Sequence, residues 1–94
     1  MVFFTYLLRC NDGSYYVGHT EELKYRMAQH RSGALGGYTA GRLPVSLEWS
    51  QDFPTRDEAF DAERQMKGWS MAKKQALIAG DWETISVLAR NRQR

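Results

Sequence analysis

Aromatic and β-branched residues crowd the start of the chain. Val2 to Arg9 reads as a strand and Ser14 to His19 as a second, with Asn11-Asp12-Gly13 a strong turn signal between them. Side chains alternate between the two faces of a strand, so the loop length decides which residues share a face. A two-residue turn at Asp12-Gly13 sets Tyr6 opposite His19 and sends Tyr16 to the other face. A three-residue loop, type I with Gly13 left-handed in a G1 bulge, sets Leu8 opposite Tyr16 and Tyr6 opposite Gly18. Only the second register puts both tyrosines on one face, and it is the one expected.

The period then changes to that of a helix. Thr20 is a good N-cap, Glu21 and Glu22 suit the positive first turn, and Gly33 is a stop. The helix from about 21 to 32 carries Leu23, Met27 and His30 on one stripe, with Arg26 four residues before His30. Ser32 to Arg42 holds four glycines and no period, so it reads as a loop, with Gly33, Gly36 and Gly37 giving it the look of a mobile flap. In Pro44 to Trp49, Val45, Leu47 and Trp49 alternate with Ser46 and Glu48 as in a third strand. Thr55-Arg56-Asp57-Glu58 is a capping box that opens a helix to about Lys67. Ser70 caps another from Met71 to Ala79, ended by Gly80, and Asp81 caps a last one carrying Trp82, Ile85 and Leu88. The predicted order is β-β-α-β-α-α-α: an α+β fold with a small three-stranded antiparallel sheet and helices packed on it.

Ninety-four residues make one domain with one modest core. Residues 1–80 form its body, and 81–94 add a C-terminal helix and an Arg-rich tail to the same domain. Net charge is only +2, which favours an anionic partner weakly. A single cysteine, Cys10, excludes an internal disulfide and a thiolate zinc cluster. It also suits a reducing compartment. No stretch reads as a membrane span or a cleavable signal, so a soluble cytoplasmic protein is expected.

Two features sit oddly in these patterns. Glu63 has Ala59, Phe60 and Met66 at i−4, i−3 and i+3, which puts a carboxylate in an inward stripe where it is costly unless paired or metal-bound. An i,i+4 pair with Lys67 explains it without chemistry. A single carboxylate also suffices for Mg²⁺, which keeps waters and takes other ligands from a phosphate. His30 and Arg26 read either as a packing histidine with a surface arginine or, together after the tyrosine hairpin, as an anion site. Tyr6 and Tyr16 themselves read equally as ordinary cross-strand packing. No GxGxxG, Walker loop, HExxH, CxxC or GxSxG competes.

Taken in order, these residues resemble the GIY-YIG nuclease superfamily, in particular its small stand-alone bacterial group. The likeness runs from about Phe4 to Ile78. Phe4-Thr5-Tyr6 stands at the first triplet, having lost both Gly and Ile, and Tyr16-Val17-Gly18 is a close form of the second. Arg26 follows Tyr16 by ten residues and His30 comes one turn later. Glu63 lies on the later helix, before Lys67 and Ser70-Met71-Ala72-Lys73-Lys74. An Asn often found late in larger members has no counterpart before the tail.

The resemblance implies metal-dependent cutting of a DNA phosphodiester bond. Glu63 would hold one Mg²⁺ (or Mn²⁺) and Tyr16 would act as general base on the attacking water or direct it. Arg26 would stabilise charge on the phosphate, with Tyr6 and His30 positioning it. A phenol near pKa 10 needs a nearby cation or metal-bound water to serve as a base at neutral pH. His19 stands where some relatives carry Lys, so it is a candidate to assist Tyr16 and contact nucleic acid. Other DNA contacts would come from Tyr38, Thr39 and Arg42 in the loop, from Lys67, Lys73 and Lys74, or from the Arg-rich tail. The expected activity is a low-specificity or structure-directed nuclease, with DNA repair one setting and RNA an open second substrate. The alternatives are a DNA-binding module of the same fold that cuts poorly, and a protein-interaction domain using Trp49, Trp69 or Trp82. Pairing with a second copy or a partner protein is open.

Overall fold

The hairpin takes the odd-loop register. β1 (Phe3–Arg9) and β2 (Tyr15–Thr20) run antiparallel with Tyr6 opposite Gly18 and Leu8 opposite Tyr16. Gly13 has φ +85°, a left-handed value that L side chains rarely adopt, and its N–H donates to the Cys10 carbonyl at 3.0 Å. The Cys10 N–H donates to the Ser14 carbonyl at 2.8 Å and closes the loop. The computed structural model of the chain describes residues 1–81. The expected last helix with Trp82, Ile85 and Leu88, and the Arg-rich tail, lie outside the described residues.

The described elements continue as α1 (Leu23–Ser32), α2 (Gly37–Ala40), β3 (Ser46–Phe53), α3 (Arg56–Lys67) and α4 (Met71–Ala79). The sheet order is β2-β1-β3, with both pairings antiparallel, giving the expected α+β architecture. β1 is therefore central, and Thr5, Tyr6, Leu7 and Leu8 are all 0 % exposed. Four buried residues in succession mean that both faces of the strand are covered. Leu7 packs with Val17, Met66 and Leu77 on the face carrying α3 and α4. Tyr6 and Leu8 pack with Met27 of α1 on the opposite face. The Thr5 hydroxyl, on the α3 face, is satisfied by donating to the Ala59 carbonyl at 2.7 Å.

Several details depart from the sequence expectation, among them the start of β3, at Ser46 rather than Pro44. α1 begins at Leu23 rather than near residue 21, because Thr20 stays in β2 opposite Phe4. Its hydroxyl instead accepts from the Glu22 N–H at 3.1 Å, a local turn just before the helix. β3 runs to Phe53 rather than ending at Trp49. Ser50, Gln51 and Asp52 pair their backbones with β1 while their side chains are exposed, so no apolar alternation announces them. The register shifts between Leu7 and Leu8, which face Trp49 and Leu47, so Glu48 is the extra residue of a bulge. The segment read as a loop contains the short α2, which Gly36 caps and Gly37 opens, both at positive φ.

The other caps follow the sequence. The Thr55 hydroxyl accepts from the Glu58 N–H at 3.2 Å and Ser70 Oγ from the Lys73 N–H at 3.1 Å. Gly33 and Gly80 end α1 and α4 in left-handed conformation. No helix among the described residues is long and apolar enough to cross a membrane.

Candidate active site

The site grows out of the tyrosine face of the hairpin. The Tyr6 ring lies across Gly18, and a Cβ there would overlap the Tyr6 hydroxyl and come within 2.6 Å of Cζ. Only glycine lets the phenol cross its neighbouring strand. The hydroxyl then meets His30 Nε2 at 2.8 Å, and His30 Nδ1 meets Thr39 Oγ1 at 2.9 Å. This chain links β1, α1 and α2 through buried polar atoms.

Protonation within the chain follows from burial. Desolvation, helped by the nearby Tyr16 phenol, pushes Tyr6 up to about 12 against the opposing pull of Arg26, and the Glu63 carboxylate adds to the rise. Burial, reinforced by Arg26, lowers His30 and keeps its imidazole neutral. A protonated phenol therefore donates to Nε2, and Nδ1–H donates to the threonine hydroxyl. Tyr6 is held as an intact phenol and serves as a fixed hydrogen-bonding post.

Tyr16 packs edge-on to His30 at 5.3 Å between ring centroids and stacks on Tyr38 at 6.2 Å. On one side of these two tyrosines lies a cleft of about 260 Å³ that Arg26, His30, Gly36 and Gly37 help to line. On the other lies one of about 370 Å³ bounded by Tyr15, Lys67 and Lys74. Arg26 Nε is buried with no hydrogen-bond partner. A guanidinium N–H left unpaired beside a cleft is a ready anion donor.

Glu63 comes from the other side of the sheet. It is 7 % exposed, and each carboxylate oxygen meets one cationic or N–H partner. His19 Nδ1 lies 2.8 Å from Oε1 and Lys67 Nζ 3.3 Å from Oε2. The i,i+4 pair expected from spacing is thus present, while the carboxylate's field still reaches the Tyr6 phenol. Among the described residues no group of three or more His, Cys, Asp or Glu could hold a metal, so an ion at Glu63 would take most of its ligands from water and substrate.

The remaining candidates fall in three places. His19 faces Glu63 and packs on Phe60 at 5.2 Å, on the face opposite Tyr16. Thr39 is buried on His30 rather than displayed. Lys73 is likewise buried, its ammonium 4.3 Å from the Trp69 ring centroid. Tyr38, Arg42, Lys67 and Lys74 remain at the surface near the clefts, with burial lowering the Lys74 ammonium. The sequence reading missed two arrangements. One is the His19–Glu63 contact, of which strand parity shows only that His19 shares a face with Tyr15 and Val17. The other is a clasp in which Arg42 Nε donates to Asp12 Oδ2 at 2.9 Å and Nη1 to the Tyr38 carbonyl at 2.8 Å.

Residues 2–76 match the model of the GIY-YIG catalytic domain. The chain belongs to the GIY-YIG family. This GIY-YIG chain is 40% identical over 76 residues to a UPF0213 protein of Streptococcus pneumoniae, covering 81% of this chain and 77% of that one. A UPF0213 protein of Halobacterium salinarum is 40% identical over 73 residues, covering 78% and 95%. The solution structure of the UPF0213 protein BH0048 from Bacillus halodurans is similar with a TM-score of 0.55 and 38% identity, covering 84% of each chain. That of protein EF2693 from E. faecalis reaches 0.56 at 38% identity, covering 82% of this chain and 83% of that one. GIY-YIG membership makes this chain part of a nuclease superfamily, with nucleic acid as the substrate class.

Proposed function

We propose that this GIY-YIG domain hydrolyses phosphodiester bonds of DNA with the help of a divalent metal and with low sequence specificity. The observation that carries the reading is Arg26 Nε, buried and unpartnered beside the cleft that Tyr16 and His30 also line. A scissile phosphate seated there would complete the arginine's hydrogen bonding and receive a charge-assisted contact.

Glu63 fits the metal by the chemistry of its donors. Each of its oxygens carries two lone-pair directions and meets one partner, which leaves one direction on each. A lone hard-oxygen ligand suits Mg²⁺ or Mn²⁺, which fill the remaining positions with water and phosphate oxygens. Such an ion supplies Lewis acidity and steadies the charge of the leaving oxygen.

Of the two phenols, Tyr6 is sealed and committed to His30. Tyr16 is only half-buried and borders both clefts, so it is the phenol that can hold and orient the attacking water. His30 keeps Tyr6 in place and, through Thr39, ties α2 to the same network. Lys67 and Lys74 in the second cleft suit contacts to the flanking backbone, which position a strand without reading its bases.

The test is incubation of the purified chain with single-stranded, duplex and branched DNA, and with RNA, with and without Mg²⁺ or Mn²⁺. Metal-dependent cleavage that disappears in Tyr16→Phe and Glu63→Ala is the expected result. Binding without cleavage under every metal overturns the hydrolase reading in favour of a DNA-binding module.

A further inference from the structure

The Glu63 carboxylate is held by two partners of different kinds, and the difference points to a role for His19. Lys67 is 54 % exposed at its side chain, and its contact of 3.3 Å is a flexible charge pair between one helical turn and the next. His19 is on β2, its backbone paired opposite Thr5 in the buried middle of the central strand, and its ring rests on Phe60 of α3. The sheet and that aromatic contact therefore set where Nδ1 stands, 2.8 Å from Oε1. A carboxylate on a helical glutamate can rotate about its terminal torsion, whereas one hydrogen-bonded to a strand-borne imidazole has its plane set by the sheet. With Nδ1–H directed at Oε1, the second lone pair of that oxygen is left free.

We propose that His19 is a positioning residue that orients Glu63 for a divalent cation by donating Nδ1–H to Oε1. Lys67 neutralises the carboxylate when no cation is near and gives way when one arrives. This rests on the metal-dependent reading above and adds to it the residue that fixes its single protein ligand. Groups that hydrogen-bond ligating carboxylates commonly carry this load, and their loss weakens metal affinity by roughly ten- to a hundredfold.

Mn²⁺ binding to the full chain, followed by electron paramagnetic resonance without nucleic acid, is the measurement, with thermal melting of every variant alongside. His19→Leu keeps the bulk against Phe60 and removes the donor, so its Mn²⁺ affinity should fall roughly ten- to a hundredfold. His19→Asn, whose amide N–H stands near the place of Nδ1, should restore most of that affinity. His19→Gln carries its N–H one carbon further and should not. If the leucine variant fails to fold, the Asn and Gln pair decides the matter, since both are polar and close in size. Lys67→Met should bind Mn²⁺ at least as tightly as the parent chain. An ion pair that only staples β2 to α3 would shift melting in the leucine variant and leave Mn²⁺ affinity unchanged, and that result overturns the proposal. Equal affinities in the Asn and Gln variants overturn it as well. A parent chain whose Mn²⁺ binding survives Glu63→Ala refutes the metal reading itself, and the role of His19 with it. Loss in Glu63→Ala with none in His19→Leu refutes only the role of His19.

Discussion

The two faces of β1 are covered equally and used differently. Toward α3 and α4, Leu7 meets Val17, Met66 and Leu77, and the buried Thr5 hydroxyl is satisfied by a helix carbonyl. Toward α1 and α2, Tyr6 meets His30 and His30 meets Thr39 through hydrogen bonds, and Arg26 Nε is buried with none. Dispersion and water exclusion hold the first face and tolerate some change of shape. The second is held by directional bonds among buried polar groups, where a missing partner costs more than a missing methylene. One strand thus separates the part that keeps the fold from the part to which the proposed chemistry is assigned, and Glu63 with His19 stands on the structural side.

Substitutions can pull the two faces apart. The largest effect is expected for Tyr16→Phe, which should lower single-turnover DNA cleavage by roughly 10²–10⁴-fold, the range of one acid–base group. Melting should change little, because the ring contacts with His30 and Tyr38 survive. Leu7→Ala should do the reverse. It should cost about 2–5 kcal/mol in urea denaturation and leave the cleavage rate per folded molecule near that of the parent chain. A large catalytic loss in Leu7→Ala would mean that the faces are not separable.

Tyr6→Phe comes next, since it strands the buried His30 Nε2 and should cost about 1–3 kcal/mol. It also carries a pH signature. The folded pKa of Tyr6 is raised from 10.0 to about 12, so its contribution is complete below the unfolded value and is lost as pH rises through that window. The parent chain should therefore lose stability between pH 10 and about 12 by more than the phenylalanine variant does. Parallel alkaline limbs for the two would contradict a buried, protonated Tyr6. His30 gives the acid counterpart. Its pKa is lowered, chiefly by burial, so the unfolded chain takes up a proton that the folded chain refuses as pH drops below 6.5. Stability should fall there, and His30→Gln, which does not titrate, should flatten that part of the pH–stability curve.

How much of this was legible beforehand depends on which force acts at each place. The hairpin register was readable because Gly13 permits a three-residue loop and only that loop gives the two tyrosines a shared face. The caps at Thr55 and Ser70 were readable because the side chain that stops the chain is also the one that bonds it. The second half of β3 was not, since Ser50, Gln51 and Asp52 belong to the strand by backbone pairing alone. Nor was α2, four residues long and opened by two glycines at positive φ, its cap Gly36 and its first residue Gly37. Within the site, the grouping of Tyr6, Tyr16, Arg26 and His30 follows from local spacing plus one register. The contact of His19 with Glu63 spans 44 residues, and only the docking of α3 on β2 creates it. Thr39 looked like a surface contact because its partner His30 lies nine residues back in another helix, whereas the Trp69 beside Lys73 is only four residues away and was overlooked.

The smallest expected effect tests how the two faces meet at the hairpin tip. Arg42 clasps α2 to the turn by bonding Asp12 and the Tyr38 carbonyl while its guanidinium lies 3.8 Å above the Tyr38 ring centroid. The Asp12 end of the clasp is solvent-exposed, and exposed pairs contribute little in salt. The carboxyl of Asp12 is held below its ordinary range first by the Ser14 hydroxyl and N–H, and only then by Arg42. Its folded pKa is depressed, so its contribution is present above the unfolded value and disappears as pH falls through the folded one. Asp12→Asn should therefore lower neutral-pH melting slightly and flatten the acid limb. Arg42→Ala should slow cleavage more than Asp12→Asn, because it also removes the bonds that seat Tyr38 against Tyr16. Equal losses of cleavage in the two variants would place the weight of the clasp on the turn, and Tyr38 would then be held by its stacking alone.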